Sequence, residues 1–314
     1  MSKPRVVTVT LNPAIDQTLS IPGFAAGRVN RVAESRSDAG GKGVNVACCL
    51  ADLGVEVTAT GFLGAENADI FEASFTHRGI ADLFVRVLGR TRVGIKIVDD
   101  RTGQTTDINF PGLAPEAEDL VELFERIFLL VEPGGWFVLS GSVPAGTPDV
   151  IYARMIELLQ DRGGHVVLDT SGGPLREALT SGPEVVKPNI EELGELVGRT
   201  LATPADVRAA GESLLERGVR LVVVSMGGDG AVFVDREQAL LARPPKVQVR
   251  STVGAGDAMV GGIVHAKLQG MALADLARFA TASGAYAVTR VGPGIEDRDS
   301  HRKLIEQVEI EDLK

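Results

Sequence analysis

Ser251-Thr-Val-Gly-Ala-Gly-Asp257 brings together residue types that can move a proton and hold an anion. A carboxylate can take a proton from an alcohol, and small residues at a helix start leave backbone N–H groups open to a charged ligand. Met259, Val260, Ile263, Val264 and Leu268 follow at helical spacing, and the alternating run Val247–Arg250 before the motif reads as a strand. Gly254, Ala255 and Gly256 therefore sit at a strand-to-helix join, with Asp257 just inside the helix. On this motif alone a second reading stays open: Asp257 simply favours the positive end of the helix.

Other polar, glycine-rich joins have the same character. Gly40-Gly41-Lys42-Gly43-Val44-Asn45 offers one cation and one amide on a glycine-lined surface, suited to a polyol or a phosphorylated sugar. It lacks the Gly-x-x-x-x-Gly-Lys-Ser/Thr spacing of a P-loop, and no dinucleotide fingerprint follows the first strand. It could equally be a helix entry that needs glycine for its turn. In Ser140-Gly-Ser-Val-Pro-Ala-Gly146, Ser142 can offer a hydroxyl to a ligand or cap a turn. Lys187-Pro188-Asn189 with Glu192 sets an amide and a carboxylate on one face of a helix start, suited to Mg²⁺ held through waters or to a capping pair. Ser225-Met-Gly-Gly-Asp-Gly230 would let a nucleotide lie against the backbone, or form a plain β-turn. His77, His165, His265 and His301 share no metal-binding spacing.

The elements that must position these groups alternate. Strands are expected at Arg5–Leu11, 57–62, 136–140, 166–169, 185–187, 221–225 and 230–234. Helices are expected leading from residue 40 through Leu53 and at 67–78, 115–131, 148–161, 190–198, 204–217, 272–288 and 299–308. Such alternation implies an α/β fold with a mainly parallel sheet and helices on both faces. The runs Ile15–Ile21, Val32–Ser37, Thr91–Asp99 and Thr105–Phe110 do not fit that layer. They predict a small separate sheet from about 13–37 and 88–111, with a hairpin across Asp100-Arg-Thr-Gly103. In open parallel sheets ligands bind beyond the carboxyl ends of the strands, so the polar joins should face one crevice.

The bulk numbers narrow the function classes. The chain has 314 residues, 44% hydrophobic, 24% charged and 4% aromatic, with a formal net charge of -10. That charge argues against non-specific nucleic-acid or membrane binding, and few aromatics argue against a base-stacking protein. Cys48 and Cys49, adjacent in an apolar helical pattern, read as buried free thiols of a reducing compartment. The N-terminus reads as a strand, not a signal peptide, and no apolar run reaches transmembrane length; a cytoplasmic protein is expected.

In their order, Asn12-Pro-Ala-Ile-Asp16, Gly40-Gly-Lys-Gly-Val-Asn45, Ser140-Gly-Ser-Val-Pro-Ala-Gly146, Lys187-Pro-Asn-x-x-Glu192 and Ser251-Thr-Val-Gly-Ala-Gly-Asp257 resemble the motifs of the PfkB (ribokinase-like) carbohydrate kinases. With Thr106-Asp-Ile-Asn-Phe-Pro-Gly112 the resemblance extends to the phosphosugar branch of that family. It implies one ribokinase-like domain with a β lid, acting also as a homodimer interface. The implied reaction is ATP-dependent phosphorylation of a phosphorylated ketohexose, fructose 1-phosphate foremost, with fructose 6-phosphate and tagatose 6-phosphate as alternatives. A non-catalytic sugar-phosphate sensor on the same fold would have lost Asp257. By resemblance, Asp257 is the base, and the N–H groups of Gly254, Ala255 and Gly256 hold the transferring phosphoryl group. Asp16, Gly41 and Asn45 bind sugar hydroxyls; Arg28, Lys42, Arg92 and Ser142 receive the phosphate already on the sugar. Lys187, Asn189, Ser225, Gly227, Gly230, Thr252 and Ser283, with Gly254 and Gly256, line the ATP site, and Asn189 with Glu192 organises Mg²⁺. Gly94 stands where many relatives carry Asn, two positions after Arg92.

Overall fold

Val6–Thr10, an uncharged run buried on both sides, forms the strand about which the main sheet is laid out. In the computed structural model, which describes residues 5–99, 101–102 and 104–314, this strand is flanked by Trp136–Ser140 on one side and Val57–Gly64 on the other, both parallel to it. Beyond Trp136–Ser140 come His165–Asp169, Val185–Val186 and Leu221–Ser225, again parallel. Ala231–Val234, Ala239–Arg243 and Glu309–Asp312 extend that edge antiparallel; Ala81–Asp82 and Val85–Val87 pair with Val57–Gly64 at the other.

Side chains alternate across the strands and build two cores. Val7, Val9, Phe137, Leu139, Val166 and Leu168 face the helices Ala117–Leu130, Ile151–Gln160 and Pro204–Leu215. Val6, Val138, Val167 and Val223 face Lys42–Asp52, Ala255–Leu268 and Leu273–Ala287. On this second face the last strand residues turn polar. Thr10, Ser140 and Asp169 are cross-strand neighbours in one row, with Gly61 beside Thr10.

The second sheet holds four strands in the order Glu34–Gly40, Ala14–Ser20, Val93–Asp99, Gln104–Asn109. It leaves the main sheet directly after the Asn12-Pro13 turn and returns at Gly40, so Asp16, Gly40 and Gly94 lie close to the strand ends. Of the expected hairpin turn, Asp100 and Gly103 lie outside the described residues, as do Met1 to Pro4.

Three readings are corrected. Val247–Arg250 is not a strand: Ala239–Arg243 already pairs with Glu309–Asp312 at the sheet edge, and Val249 stays 57% exposed with no strand beside it. The second lid strand runs Glu34–Gly40 rather than Val32–Ser37, which leaves Gly41 alone as the turn into the next helix. The strands Ala239–Arg243 and Glu309–Asp312 and the helix Gly172–Ala178 were not expected. Among the described residues, no helix is long and apolar enough to cross a membrane.

Candidate active site

Gly254 caps the helix Ala255–Leu268 at φ 79°, a left-handed conformation that glycine adopts without a side-chain clash. Among the described residues no side chain caps this end. The first bond is donated by Ala258 N–H to the Gly254 carbonyl at 2.8 Å, so the N–H groups of Ala255, Gly256 and Asp257 stay available. That makes the turn an anion site.

Asp257 is 7% exposed and accepts a hydrogen bond on Oδ2 from Asn45 Nδ2 at 2.8 Å. Burial pushes its pKa up to about 6, and the nearby Asp169 carboxylate pushes the same way, against Asn45 and the ammoniums of Lys42 and Lys187. The group is thus ionised at neutral pH yet more basic than an ordinary carboxylate, which suits a proton acceptor.

Asp169, at the end of the strand His165–Asp169, is 1% exposed. Its Oδ1 meets Lys42 Nζ at 3.1 Å and Lys187 Nζ at 3.4 Å. Burial alone would raise its pKa, but the two ammoniums overcome this and hold it below the usual carboxylate range. Lys42 opens the helix Lys42–Asp52 behind Gly41, whose φ of 114° and close approach to Pro13 exclude a side chain. Lys187 is 4% exposed, and its Nζ lies 3.3 Å from the point a Cβ on Gly256 would occupy.

A cavity of about 570 Å³ opens beside the Gly254 turn. Ser225, Gly227, Gly230, Thr252 and Gly256 line it, with Ala255, Met259, Thr281, Gly284 and Val288. Its glycines and aliphatic walls suit a flat base against backbone. A neighbouring cavity shares Ser225 and Gly227 and includes Asn189. Asn189 and Glu192 form a reciprocal cap on the helix Ile190–Val197: Asn189 Oδ1 accepts from Glu192 N–H at 2.7 Å, and Glu192 Oε2 from Asn189 N–H at 2.8 Å. Their half-buried oxygens fit Mg²⁺ through water and not as a closed protein cage; among the described residues no cluster of three or more His, Cys, Asp or Glu could hold an ion.

On the other side of Asp257 lies the lid root. Asp16 pairs with Gly94 across the sheet, and side chains at Gly40 or Gly94 would press on its carboxylate. Burial raises the Asp16 pKa, although Lys96 and Arg92 oppose it. Arg92 donates to the carbonyls of Pro13 and Asn12, each at 3.3 Å, and Asn12 Nδ2 donates to Ser142 Oγ at 3.0 Å. Asp16, Gly41, Lys42, Asn45, Arg92 and Ser142 therefore converge around one turn.

Three expected residues are placed differently. Arg28 is exposed in the connection 21–33 at the far end of the lid hairpin, and within one chain it does not join Arg92 and Ser142. Ser283 is fully buried; its hydroxyl donates to the Phe279 carbonyl and meets His301 Nε2 at 3.0 Å, so Thr281 and Gly284, not Ser283, line the cavity. Lys187 turns from the cavity toward Asp169. Asp169 itself was missed, although its place at a predicted strand end was the signal that marked the other joins. Gly112 was quoted only within its motif; a Cβ there would overlap Asn12 Oδ1.

Residues 6–299 match the model of the pfkB family of carbohydrate kinases. A 1-phosphofructokinase from Rhodobacter capsulatus is 47% identical over 98% of each chain. One from Xanthomonas campestris is 47% identical over 88% of this chain and 89% of its own. Phosphofructokinase-2 from Escherichia coli, crystallised with fructose-6-phosphate, superposes with a TM-score of 0.90 at 31% identity, covering 97% of this chain and 99% of its own.

Proposed function

Because the chain belongs to the pfkB family of carbohydrate kinases, phosphotransferases with an alcohol acceptor, we propose that it moves the γ-phosphoryl group of ATP onto fructose 1-phosphate to give fructose 1,6-bisphosphate. The observation that carries this reading is the buried, basic Asp257 beside an uncapped helix N-terminus, between a nucleotide-sized cavity and the Asp16–Arg92 lid root. Two 1-phosphofructokinases at 47% identity support the choice of acceptor.

In this mechanism the lid root holds the sugar by its existing phosphate, with Arg92, Lys42 and Ser142 on the phosphate and Asp16 and Asn45 on hydroxyls. Asp257 accepts the proton of the free hydroxymethyl group as that oxygen bonds to the γ-phosphorus. The bond from the γ-phosphorus to the bridging oxygen breaks, and ADP leaves. The N–H groups of Ala255 and Gly256 face the transferring group and stabilise its charge without reorganising. Mg²⁺, held through water by Asn189 and Glu192, would neutralise phosphate charge.

The same reading makes the chain one kinase domain whose four-stranded sheet closes over the sugar and excludes water. It also makes the lid the contact of a homodimer in the cytoplasm. A second acceptor, fructose 6-phosphate, is favoured by the likeness to phosphofructokinase-2 crystallised with that sugar, at lower identity. Tagatose 6-phosphate is the third candidate. The deciding measurement is kcat/KM with ATP over fructose 1-phosphate, fructose 6-phosphate, tagatose 6-phosphate and fructose. Fructose 1-phosphate should lead, and a preference for unphosphorylated fructose would overturn the phosphosugar reading.

A further inference from the structure

We propose that Asp169 is a positioning residue that ties the acceptor side of the site to the donor side, by holding the ammoniums of Lys42 and Lys187 on one carboxylate oxygen. The two lysines come from opposite sides of the crevice. Lys42 opens the helix that carries Asn45 and follows Gly41 at the lid root, whereas Lys187 precedes Asn189 and lies against Gly256 in the anion-holding turn. Both reach Oδ1 of Asp169, at 3.1 and 3.4 Å.

Among the described residues Oδ2 is buried and meets no protein hydrogen-bond partner, and the same holds for the hydroxyls of its row neighbours Ser140 and Thr10. A buried carboxylate needs at least one hydrogen-bond partner. Here the contacts of the charge are two side chains that flank the reacting groups. The cluster holds two carboxylates, Asp169 and Asp257, and two ammoniums, Lys42 and Lys187, with Asn45 as the neutral fifth member. Anionic substrates arriving from either side compete for these lysines, and Asp169 fixes how far each can be drawn toward a phosphate. The spacing of acceptor and donor is thereby set from beneath, and small misplacements of reacting groups are costly.

This inference rests on the kinase reading, and its test separates the two. Wild-type and Asp169→Asn chains are compared for kcat, both KM values and the pH dependence of kcat/KM, with unfolding followed by circular dichroism. The expected result is a folded variant whose kcat falls by about tenfold or more, as misplacement effects allow, and whose KM rises for sugar phosphate and ATP together. The acidic limb should also move to lower pH, because Asp257 loses a neighbouring carboxylate while keeping both lysines. A folded variant with unmoved limb and KM values overturns the proposal and leaves Asp169 a structural counter-ion. Should Asp169→Asn not fold, Lys42→Met, Lys187→Met and their double variant decide. Linkage through Asp169 predicts effects on kcat/KM that depart from additivity by about threefold or more, and effects additive within about twofold overturn it. A wild-type chain that transfers no phosphoryl group to any phosphosugar overturns both readings; an active wild type with an unaffected variant overturns only this one.

Discussion

Asn45 Nδ2 donates to Asp257 Oδ2 at 2.8 Å and so joins the first turns of two helices 212 positions apart in the chain. The bond occupies one carboxylate oxygen and leaves Oδ1 for an acceptor hydroxyl. It also ties the proposed base to the glycine turn at Gly41, whose carbonyl accepts from Asn45 N–H. Pinning of this kind is what a base needs, because proton transfer requires hydrogen-bond reach to the acceptor hydroxyl.

Activity should therefore fall in acid with one dominant ionisation. With the Asp257 pKa near 6, kcat/KM is expected to be flat above neutrality and to lose about tenfold per pH unit below about 6. The profile is read from initial rates at subsaturating sugar phosphate. An acidic limb placed near pH 4, where an unperturbed carboxylate titrates, would remove Asp257 as the titrating base.

The same shift has a stability consequence of opposite sign. A carboxyl group whose folded pKa lies above its unfolded value of 3.8 binds its proton more tightly in the fold. Its contribution is most favourable below pH 3.8 and is lost as the pH rises through about 6, so at pH 8 the buried charge costs on the order of 3 kcal/mol. Asp257→Asn removes that charge while keeping an acceptor for Asn45. The variant should lose about a thousandfold in kcat, in the range of general-base effects, with KM values changed little. It should also unfold at a higher temperature than wild type at pH 8, and that gain should shrink by pH 5. Scanning calorimetry at both pH values with steady-state assays checks this; a destabilised or substantially active variant contradicts it.

Much of this site was legible in the residues, and what was not has identifiable causes. Ser225 and Gly227 sit where glycine and a polar group end a strand of the parallel sheet, whose strand ends share one rim. Asn45 follows the small-sheet strand Glu34–Gly40, and Asp257 was marked by its glycine-rich helix start although no strand directly precedes it. Asp169 closes the strand His165–Asp169, and although Gly172 and Gly173 follow it, its importance lies in two lysines that only folding brings near. Ser283 shows the reverse: a polar residue on the helix Leu273–Ala287 faces either the cavity or the interior, and a single helical step gave the rim to Thr281 and Gly284. The unexpected C-terminal strand Glu309–Asp312 is mostly exposed and acidic, so only its edge pairing with Ala239–Arg243 makes it β. Arg28 lies on a lid loop whose destination depends on what the lid meets, which no local pattern encodes.

Gly40 and Gly94 flank Asp16, and their substitution should separate sugar binding from nucleotide binding. Neither has a positive φ, so the effect of a side chain there is steric rather than conformational. A Cβ on Gly40 would overlap Asp16 Oδ2, whereas one on Gly94 would stand 3.2 Å from Oδ1 and 3.6 Å from Asn109 Oδ1. Gly40→Ala should raise KM for the sugar phosphate by about tenfold or more, since sub-ångström displacement of a buried contact is felt. Gly94→Ala should have the same direction and a smaller size, and KM for ATP should move by less than about twofold in both, as expected for sites with no shared partners. Equal changes in both KM values would place Asp16 outside the sugar site.

Arg92 and Ser142 both act on the Asn12 turn, and the size of each contribution follows from charge. Arg92 spans the carbonyls of Asn12 and Pro13 with charged donors, while Ser142 accepts one neutral bond from Asn12. Charged hydrogen bonds contribute about 1.5–3 kcal/mol and neutral ones about 0.5–1.5. Arg92→Ala also removes a cation that, after Lys96, opposes the burial-driven rise of the Asp16 pKa, so its loss reaches two of the proposed sugar contacts at once. KM for the sugar phosphate should rise by at least about tenfold in Arg92→Ala and by less than about tenfold in Ser142→Ala, on those energies. KM for ATP should stay near wild type in both, since neither side chain lines the proposed nucleotide cavity. Arg92→Lys should restore only part of the loss, because a single ammonium cannot span two carbonyls as a planar guanidinium does. Full recovery with lysine would mean that charge alone matters, and the bracing of the Asn12-Pro13 turn would then have no part in sugar binding.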